Sequence, residues 1–72
     1  MRDRKASNGA ILRELGYGGG YANGWTDFEL ISGDWPSDEE LIKLANDGLC
    51  CPLGGRIENR SEKKLRAVFY TD

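Results

Sequence analysis

The chain has 72 residues and a formal net charge of −2, from 10 lysines and arginines against 12 aspartates and glutamates. A chain of this size forms one small domain with a thin core, so we expect self-association or a stable partner to support it. It contains no histidine, and its two cysteines, Cys50 and Cys51, are adjacent. Neighbouring cysteines do not close an unstrained disulfide, and two thiols alone do not make a zinc site. The sequence therefore predicts no metal, no cofactor and a reducing cytoplasm.

The N-terminal part is predicted to hold one short helix. Residues 1–7 are basic and lack an apolar pattern, so we expect them to be loose. In the next stretch, NGAILRELG, Asn8 is a potential helix cap and Gly16 would end the helix. The apolar residues between them share one helical face, and they are Ile11, Leu12 and Leu15.

A glycine-rich stretch, GYGGGYANGW, covers residues 16–25. A dinucleotide-binding loop needs a further glycine or alanine after the G-x-G pair, and a strand before the loop. Tyr21 and Asn23 stand where that residue would be, and the predicted helix precedes the stretch. We therefore interpret residues 16–24 as a connector that ends in a tight turn at Asn23-Gly24.

A strand follows this connector. In GWTDFELIS, Phe28 and Leu30 alternate with Asp27, Glu29 and Ile31, which is typical of a strand with two unlike faces.

The helix signal is strongest in PSDEELIKLANDG. Ser37 and Glu40 have the spacing of a capping box, and acidic residues fill the first turn, where the helix dipole favours them. Gly48 stands where a C-terminal cap is favoured. The sequence predicts a helix over residues 37–47.

The C-terminal part predicts a hairpin, with a short strand over Arg56–Glu58 and a longer strand over Leu65–Thr71. The longer strand is the most apolar and belongs in the middle of the sheet. The expected fold is α+β: a split β-α-β layer whose three antiparallel strands have the order first-third-second, with the capped helix on one face and the short N-terminal helix beside it.

Acidic residues concentrate around the predicted helix, and Trp35 lies among them. A tryptophan flanked by acids can anchor on a basic, partly apolar partner, and it can equally pack back onto the helix. The residues of this candidate partner-binding surface are Asp27, Glu29, Asp34, Trp35, Asp38, Glu39, Glu40 and Asp47.

Basic residues concentrate in the predicted hairpin, together with one aromatic residue. Such a set could hold a nucleic-acid backbone and stack a base. Glu58 and Glu62 interrupt it, so direct nucleic-acid binding is the less favoured interpretation. The residues of this alternative site are Arg56, Arg60, Lys63, Lys64, Arg66 and Tyr70.

Catalysis is not expected. General base chemistry would fall to carboxylates or lysines, and the clustered acids already have a structural role in a first helical turn. Cys50 and Cys51 follow a helix C-terminus, where the dipole disfavours a thiolate, so we expect buried structural thiols. No apolar run approaches the roughly 20 residues that cross a bilayer, and no membrane partner is expected.

The stretches PSDEELIKLAND, CPLGGRIE and AVFYTD resemble small uncharacterised proteins encoded by bacteria and their phages. The resemblance covers the C-terminal half of the chain and transfers no catalytic or binding residue. It implies a bacterial host cytoplasm and, by analogy of class, inhibition of a host protein. The leading hypothesis is therefore a non-enzymatic phage-type protein that binds and inhibits a host protein, such as one that handles nucleic acid, through its acidic segment in an anti-CRISPR or DNA-mimic mode. The alternatives are a small nucleic-acid-binding regulator and a homodimeric structural module.

Overall fold

A computed structural model describes residues 2–19, 23–46 and 53–70 of the chain. These residues form five strands and one helix, in the order β-β-β-α-β-β. Their bounds are β1 Arg2–Lys5, β2 Ile11–Gly19, β3 Asn23–Ser32, α1 Asp38–Asn46, β4 Gly54–Glu58 and β5 Lys64–Tyr70.

The five strands make one antiparallel sheet in the order β1-β2-β3-β5-β4. The predicted α+β fold is therefore wrong. That fold had three strands and two helices, whereas the described residues form a mostly β structure with a single short helix. The predicted strands overlap β3, β4 and β5, and the sheet gains β1 and β2 from segments that were predicted to be loose, helical or connecting.

The predicted N-terminal helix is wrong because its residues form the turn after β1 and the first half of β2. Opposite β3, Leu12 pairs with Leu30 and Glu14 with Phe28, but the next pair is Gly16 with Asp27. Leu15 is thus the extra residue of a β-bulge. Leu12 and Leu15 are three residues apart in the sequence, and residues on one face of a helix have the same spacing.

Residues 2–5 form β1, which is hydrogen-bonded to β2. The β1–β2 pairing runs from Arg2 opposite Glu14 to Lys5 opposite Ile11, in the segment predicted to be loose. Asn8, the predicted helix cap, closes the turn between the two strands, because its Oδ1 accepts the N–H of Ala10 at 3.0 Å. An asparagine side chain accepts backbone N–H groups in turns as well as at helix starts, so the sequence signal fits both.

α1 begins close to the predicted position. The N–H of Glu40 donates to Oγ of Ser37 at 3.2 Å, as a helix cap requires. The Glu40 carboxylate reaches across to Ser7, whose hydroxyl and backbone N–H both donate to it. This contact ties the turn after β1 to the first turn of the helix. The predicted C-terminal cap, Gly48, lies outside the described residues.

The core lies between α1 and one side of the sheet. Leu12, Phe28 and Leu41 are fully buried there, and Leu65 and Ala67 of β5 pack with them. The helix approaches β4 closely because residue 55 is a glycine. A Cβ at that position would lie 2.9 Å from the side chain of Ile42.

Candidate functional site

The other side of the sheet carries no covering element among residues 2–19, 23–46 and 53–70. Because side chains alternate along a strand, the residues between the buried Thr26, Phe28 and Leu30 point to this side. We call it the open face. Its members on β3, β4 and β5 are Trp25, Asp27, Glu29, Arg56, Glu58, Lys64, Arg66, Val68 and Tyr70.

The centre of the open face is a unit of three side chains: Trp25, Arg66 and Asp27. The guanidinium carbon of Arg66 lies 3.9 Å from the centroid of the Trp25 ring, which is a cation–π stack. Nε and Nη2 of Arg66 donate to the two Asp27 carboxylate oxygens at 2.7 and 3.2 Å. The hydrogen bond to Asp27 raises the pKa of Arg66. The two hydrogen bonds to Asp27 fix the guanidinium in its position over the ring.

A glycine makes room for the Trp25 ring. Gly18 of β2 is directly opposite Trp25, and a Cβ on Gly18 would lie 2.7 Å from the ring carbon Cζ2. The indole therefore lies across β2 where a side chain would otherwise stand. Gly16, the next residue of β2 on this face, has no heavy atom within 4 Å of its Cβ position. The surface beside Trp25 is open at that point.

A second unit also consists of an aromatic residue, an arginine and a carboxylate, which here are Tyr70, Arg56 and Glu58. The guanidinium carbon of Arg56 is 5.5 Å from the centroid of the Tyr70 ring, and Nε of Arg56 donates to Glu58. Val68 lies between the two units, opposite both Trp25 and Arg56, and is 8% exposed. The open face thus carries two aromatic rings, each beside an arginine–carboxylate pair, with Val68 between them.

The charges on the open face alternate in sign. Glu29 is directly opposite Lys64, as Asp27 is opposite Arg66. The alternation continues beyond β3, because Arg13 is opposite Glu29 on β2 and donates to Asp3 of β1 at 2.9 Å. The hydrogen bond to Asp3 raises the pKa of Arg13. The open face therefore presents both signs of charge at short spacing.

The predicted acidic surface is divided by this fold. Asp27 and Glu29 belong to the open face, whereas the other described members lie before α1 or in its first turn. Several of them have basic or polar neighbours: Asp38 accepts from Arg60, Glu39 is 3.7 Å from Lys43, and Glu40 binds Ser7. The remaining members are Asp34 and Trp35, which precede the helix, and Asp47, which lies outside the described residues.

Trp35 packs inward. It lies against the buried core, and its Nε1 donates to the carbonyl of Glu62 at 3.1 Å. The alternative from the sequence had Trp35 pack back onto the helix, whereas its hydrogen bond is to the connection between β4 and β5.

The predicted basic set divides in a similar way. Four of its members are on the open face: Arg56, Lys64, Arg66 and Tyr70. The other two, Arg60 and Lys63, are in the connection between β4 and β5. The sheet therefore brings part of the acidic set and part of the basic set onto one surface.

Trp25 is the functional candidate that the sequence reasoning missed. Trp25, Asp27 and Glu29 stand at alternate positions of the strand, so the period-two pattern places Trp25 on the polar side of β3. An aromatic residue on the polar side of a strand was the available signal.

Comparison with known protein families, with curated proteins and with solved structures finds no match for the chain. The described ranges contain no group of three or more histidine, cysteine, aspartate or glutamate residues placed to hold a metal ion. Within them, no helix has the length and apolar character needed to cross a membrane. Cys50 and Cys51 lie outside these ranges, so their predicted burial does too.

Proposed function

We propose that the chain is a non-catalytic binding protein that docks on a partner protein through its open face. The observation that carries this proposal is the unit of Trp25, Arg66 and Asp27. Tryptophan, tyrosine and arginine are the residues most enriched at the energetic centres of protein interfaces. Here Trp25 and Arg66 are held in place by the sheet and by Asp27, so binding would cost little additional ordering of their side chains.

The charge pattern favours a protein over a nucleic acid as the partner. Each arginine of the open face has a carboxylate partner on the same face: Arg66 with Asp27, Arg56 with Glu58, and Arg13 with Asp3. A phosphate backbone would meet acidic groups beside every guanidinium. A protein surface with an apolar centre and charges of both signs at its rim is complementary to this arrangement.

The setting of the partner comes from the resemblance to small phage and bacterial proteins. A host protein in the bacterial cytoplasm as the target, and inhibition as the outcome, remain predictions on that basis. The acidic segment contributes Asp27 and Glu29 to the proposed interface. Asp38 and Glu39, at the start of α1, lie outside the open face and are not needed for the interaction.

Affinity capture from a bacterial lysate with matched variants tests the proposal. The tagged wild-type chain is compared with Arg56→Ala/Tyr70→Ser on the open face and with Lys43→Ala on the exposed side of α1. We expect the partner to be depleted about tenfold by the open-face variant, as for loss of interface hot spots, and to be retained by Lys43→Ala. Circular dichroism confirms that each variant is folded.

A third variant separates the two acidic regions. Asp38→Asn/Glu39→Gln neutralises the start of α1 while leaving Glu40 and its contact with Ser7 in place. We expect this variant to retain the partner. If it loses the partner while Arg56→Ala/Tyr70→Ser keeps it, the interface is the helix start and the open-face proposal is wrong.

Single-stranded nucleic acid is the second candidate ligand. It is favoured by the two arginine–aromatic stacks, since aromatic rings and guanidinium planes on a sheet are surfaces on which bases stack. Fluorescence anisotropy with labelled oligo-dT and oligo-U at low salt tests this candidate. Binding that weakens steeply with added salt and is lost in Arg56→Ala/Tyr70→Ser would identify a nucleic acid, and not a protein, as the ligand of the open face.

The homodimeric module also remains a prediction. Sedimentation at micromolar concentration would measure it directly, and a dimer that is disrupted by Arg56→Ala/Tyr70→Ser would identify the open face as the contact between two copies.

A further inference from the structure

One edge of the sheet is only partly covered. β1 pairs with β2 from Ile11 to Glu14, but β2 continues to Gly19. In the described part of the chain, residues 16–19 therefore pair with β3 on one side and with no strand on the other, and the bulged Leu15 precedes them. The free side of an edge strand presents backbone N–H and C=O groups, which form a template for a further strand.

This part of the edge differs from the edges that the chain protects. All four residues of β1 are charged, and β4 at the opposite edge carries Arg56 and Glu58. Charged side chains on edge strands are a common protection against unwanted pairing. The sequence of residues 15–19, LGYGG, has no charge and no proline. Its bulge is at Leu15, and from Gly16 onward the pairing with β3 is regular.

Side chains of an added strand would have space and apolar contacts on both sides of the sheet. On the open face, Gly16 and Gly18 carry no side chain, and the Trp25 ring lies across Gly18. On the other side, Tyr17 is 81% exposed. A strand beside β2 would thus place alternate residues next to Trp25 and next to Tyr17.

We propose that the outer edge of β2, from Leu15 to Gly19, accepts an extended segment of the partner protein as an additional strand. The segment carries apolar side chains at alternate positions, and those on the open face pack on Trp25. Backbone hydrogen bonds to β2 supply affinity, and the aromatic contacts select the sequence. This inference rests on the proposed binding function, because it names the form of the partner segment that reaches the open face.

A displayed library of random peptides of about seven residues, near the usual strand length, is the probe. The library is selected on the immobilised wild-type chain. We expect recovered sequences with apolar residues at alternate positions. We also expect their binding to slow hydrogen exchange at the amides of Tyr17 and Gly19, which point away from β3 and alternate with the amides of Gly16 and Gly18 that face it. Recovery of no peptide, or of peptides without alternation, would contradict the inference.

Edge variants then locate the peptide. Tyr17→Lys and Leu15→Lys each add a protecting charge at an exposed residue of the edge, and each is expected to weaken peptide binding about tenfold. Ile31→Lys is the matched control, since Ile31 is also exposed but lies near the other end of the sheet on β3. Equal peptide affinity in Tyr17→Lys, Leu15→Lys and the wild type would overturn the edge site.

The two proposals fail separately. If Arg56→Ala/Tyr70→Ser loses the natural partner while Tyr17→Lys and Leu15→Lys keep it, the open face stands and the edge site is wrong. If the edge variants lose the partner and Arg56→Ala/Tyr70→Ser keeps it, the added strand stands and the open face is not the main contact.

Discussion

The same strands form both sides of the sheet, but the side chains under α1 are apolar and those on the open face are mostly charged or aromatic. Under α1, the alternate residues of β3 and β5 are Phe28, Leu65 and Ala67, and all are buried in an apolar core. On the open face, the residues between them are Asp27 and Arg66, which are directly opposite each other and ion-paired. One period-two pattern thus produces a packed side and a paired, partly exposed side.

This difference separates stability from recognition. Burial of apolar area under α1 supplies most of the folding free energy, because exposed ion pairs contribute little. On the open face, the side chains of Arg66 and Asp27 are 32% and 33% exposed. Substitutions under the helix should therefore unfold the chain, and substitutions on the open face should cost binding with little loss of stability.

The largest expected effect is on the packed side. Leu41→Ala removes a fully buried side chain of α1 and leaves a cavity against the sheet. We expect it to lower the free energy of unfolding by about 3 kcal/mol, measured by chemical denaturation. Leu53→Ala is the control, because Leu53 is 78% exposed, and its effect should be within about 0.5 kcal/mol. Equal losses in the two variants would contradict the assigned core.

The glycines of β4 give a matched pair with a smaller effect. A Cβ on Gly55 would lie 2.2 Å from the carbonyl oxygen of Val68 and 2.9 Å from Ile42, whereas a Cβ on Gly54 would have its nearest contact at 3.8 Å. Gly55→Ala is expected to cost about 2 kcal/mol through overpacking, and Gly54→Ala is expected to be tolerated. Thermal unfolding of the two variants measures the difference.

The glycines of β2 test the open face in the same manner. Gly18→Ala should displace the Trp25 ring from its position over β2, and Gly16→Ala should not, since its Cβ would enter open space. We expect a changed Trp25 fluorescence spectrum in Gly18→Ala, recorded in a Trp35→Phe background, with a stability loss of about 1 kcal/mol. The same spectrum in both alanine variants would show that Trp25 does not lie over Gly18.

The smallest effect concerns Glu40. Hydrogen bonds from the hydroxyl and the backbone N–H of Ser7 lower the pKa of Glu40 below the usual range of a glutamate. A lowered folded-state pKa stabilises the fold above the unfolded pKa, and this stabilisation is lost as the pH falls through the folded pKa. Because the contact is exposed to solvent, we expect at most about 1 kcal/mol.

Glu40→Gln and Ser7→Ala should therefore lower stability near neutral pH and approach the wild type in acid, where Glu40 is protonated. Denaturation curves over a pH series measure this convergence. A gap between Glu40→Gln and the wild type that stays constant down to acid pH would mean that ionised Glu40 does not contribute through Ser7.

The sequence predicted the elements whose signals are local. The capped helix and strands β3, β4 and β5 depend on caps, alternation and turn residues within a few positions of one another. β1 has four charged residues and no apolar pattern, so its strand depends on pairing with β2. β2 was misread because the bulge at Leu15 breaks the period-two alternation, and glycines from Gly16 onward resemble a connector.

The candidate site was predictable only in part. Alternation along β3 already placed Trp25, Asp27 and Glu29 on one face. The pairing of Asp27 with Arg66 joins residues 39 positions apart, and it depends on the register of β3 against β5. Charge totals along the chain suggested separate acidic and basic surfaces, whereas an antiparallel register interleaves them.

The most direct test of the open face is a charge swap within its central unit. Asp27→Arg/Arg66→Asp keeps one acid and one base at opposite positions of β3 and β5. It exchanges their places, so a partner would meet the positive charge on β3 and the negative charge on β5. We expect the variant to remain folded by circular dichroism and to bind the captured partner at least about tenfold more weakly than the wild type, as measured by titration calorimetry. Unchanged affinity in the folded swap variant would contradict recognition through the open face.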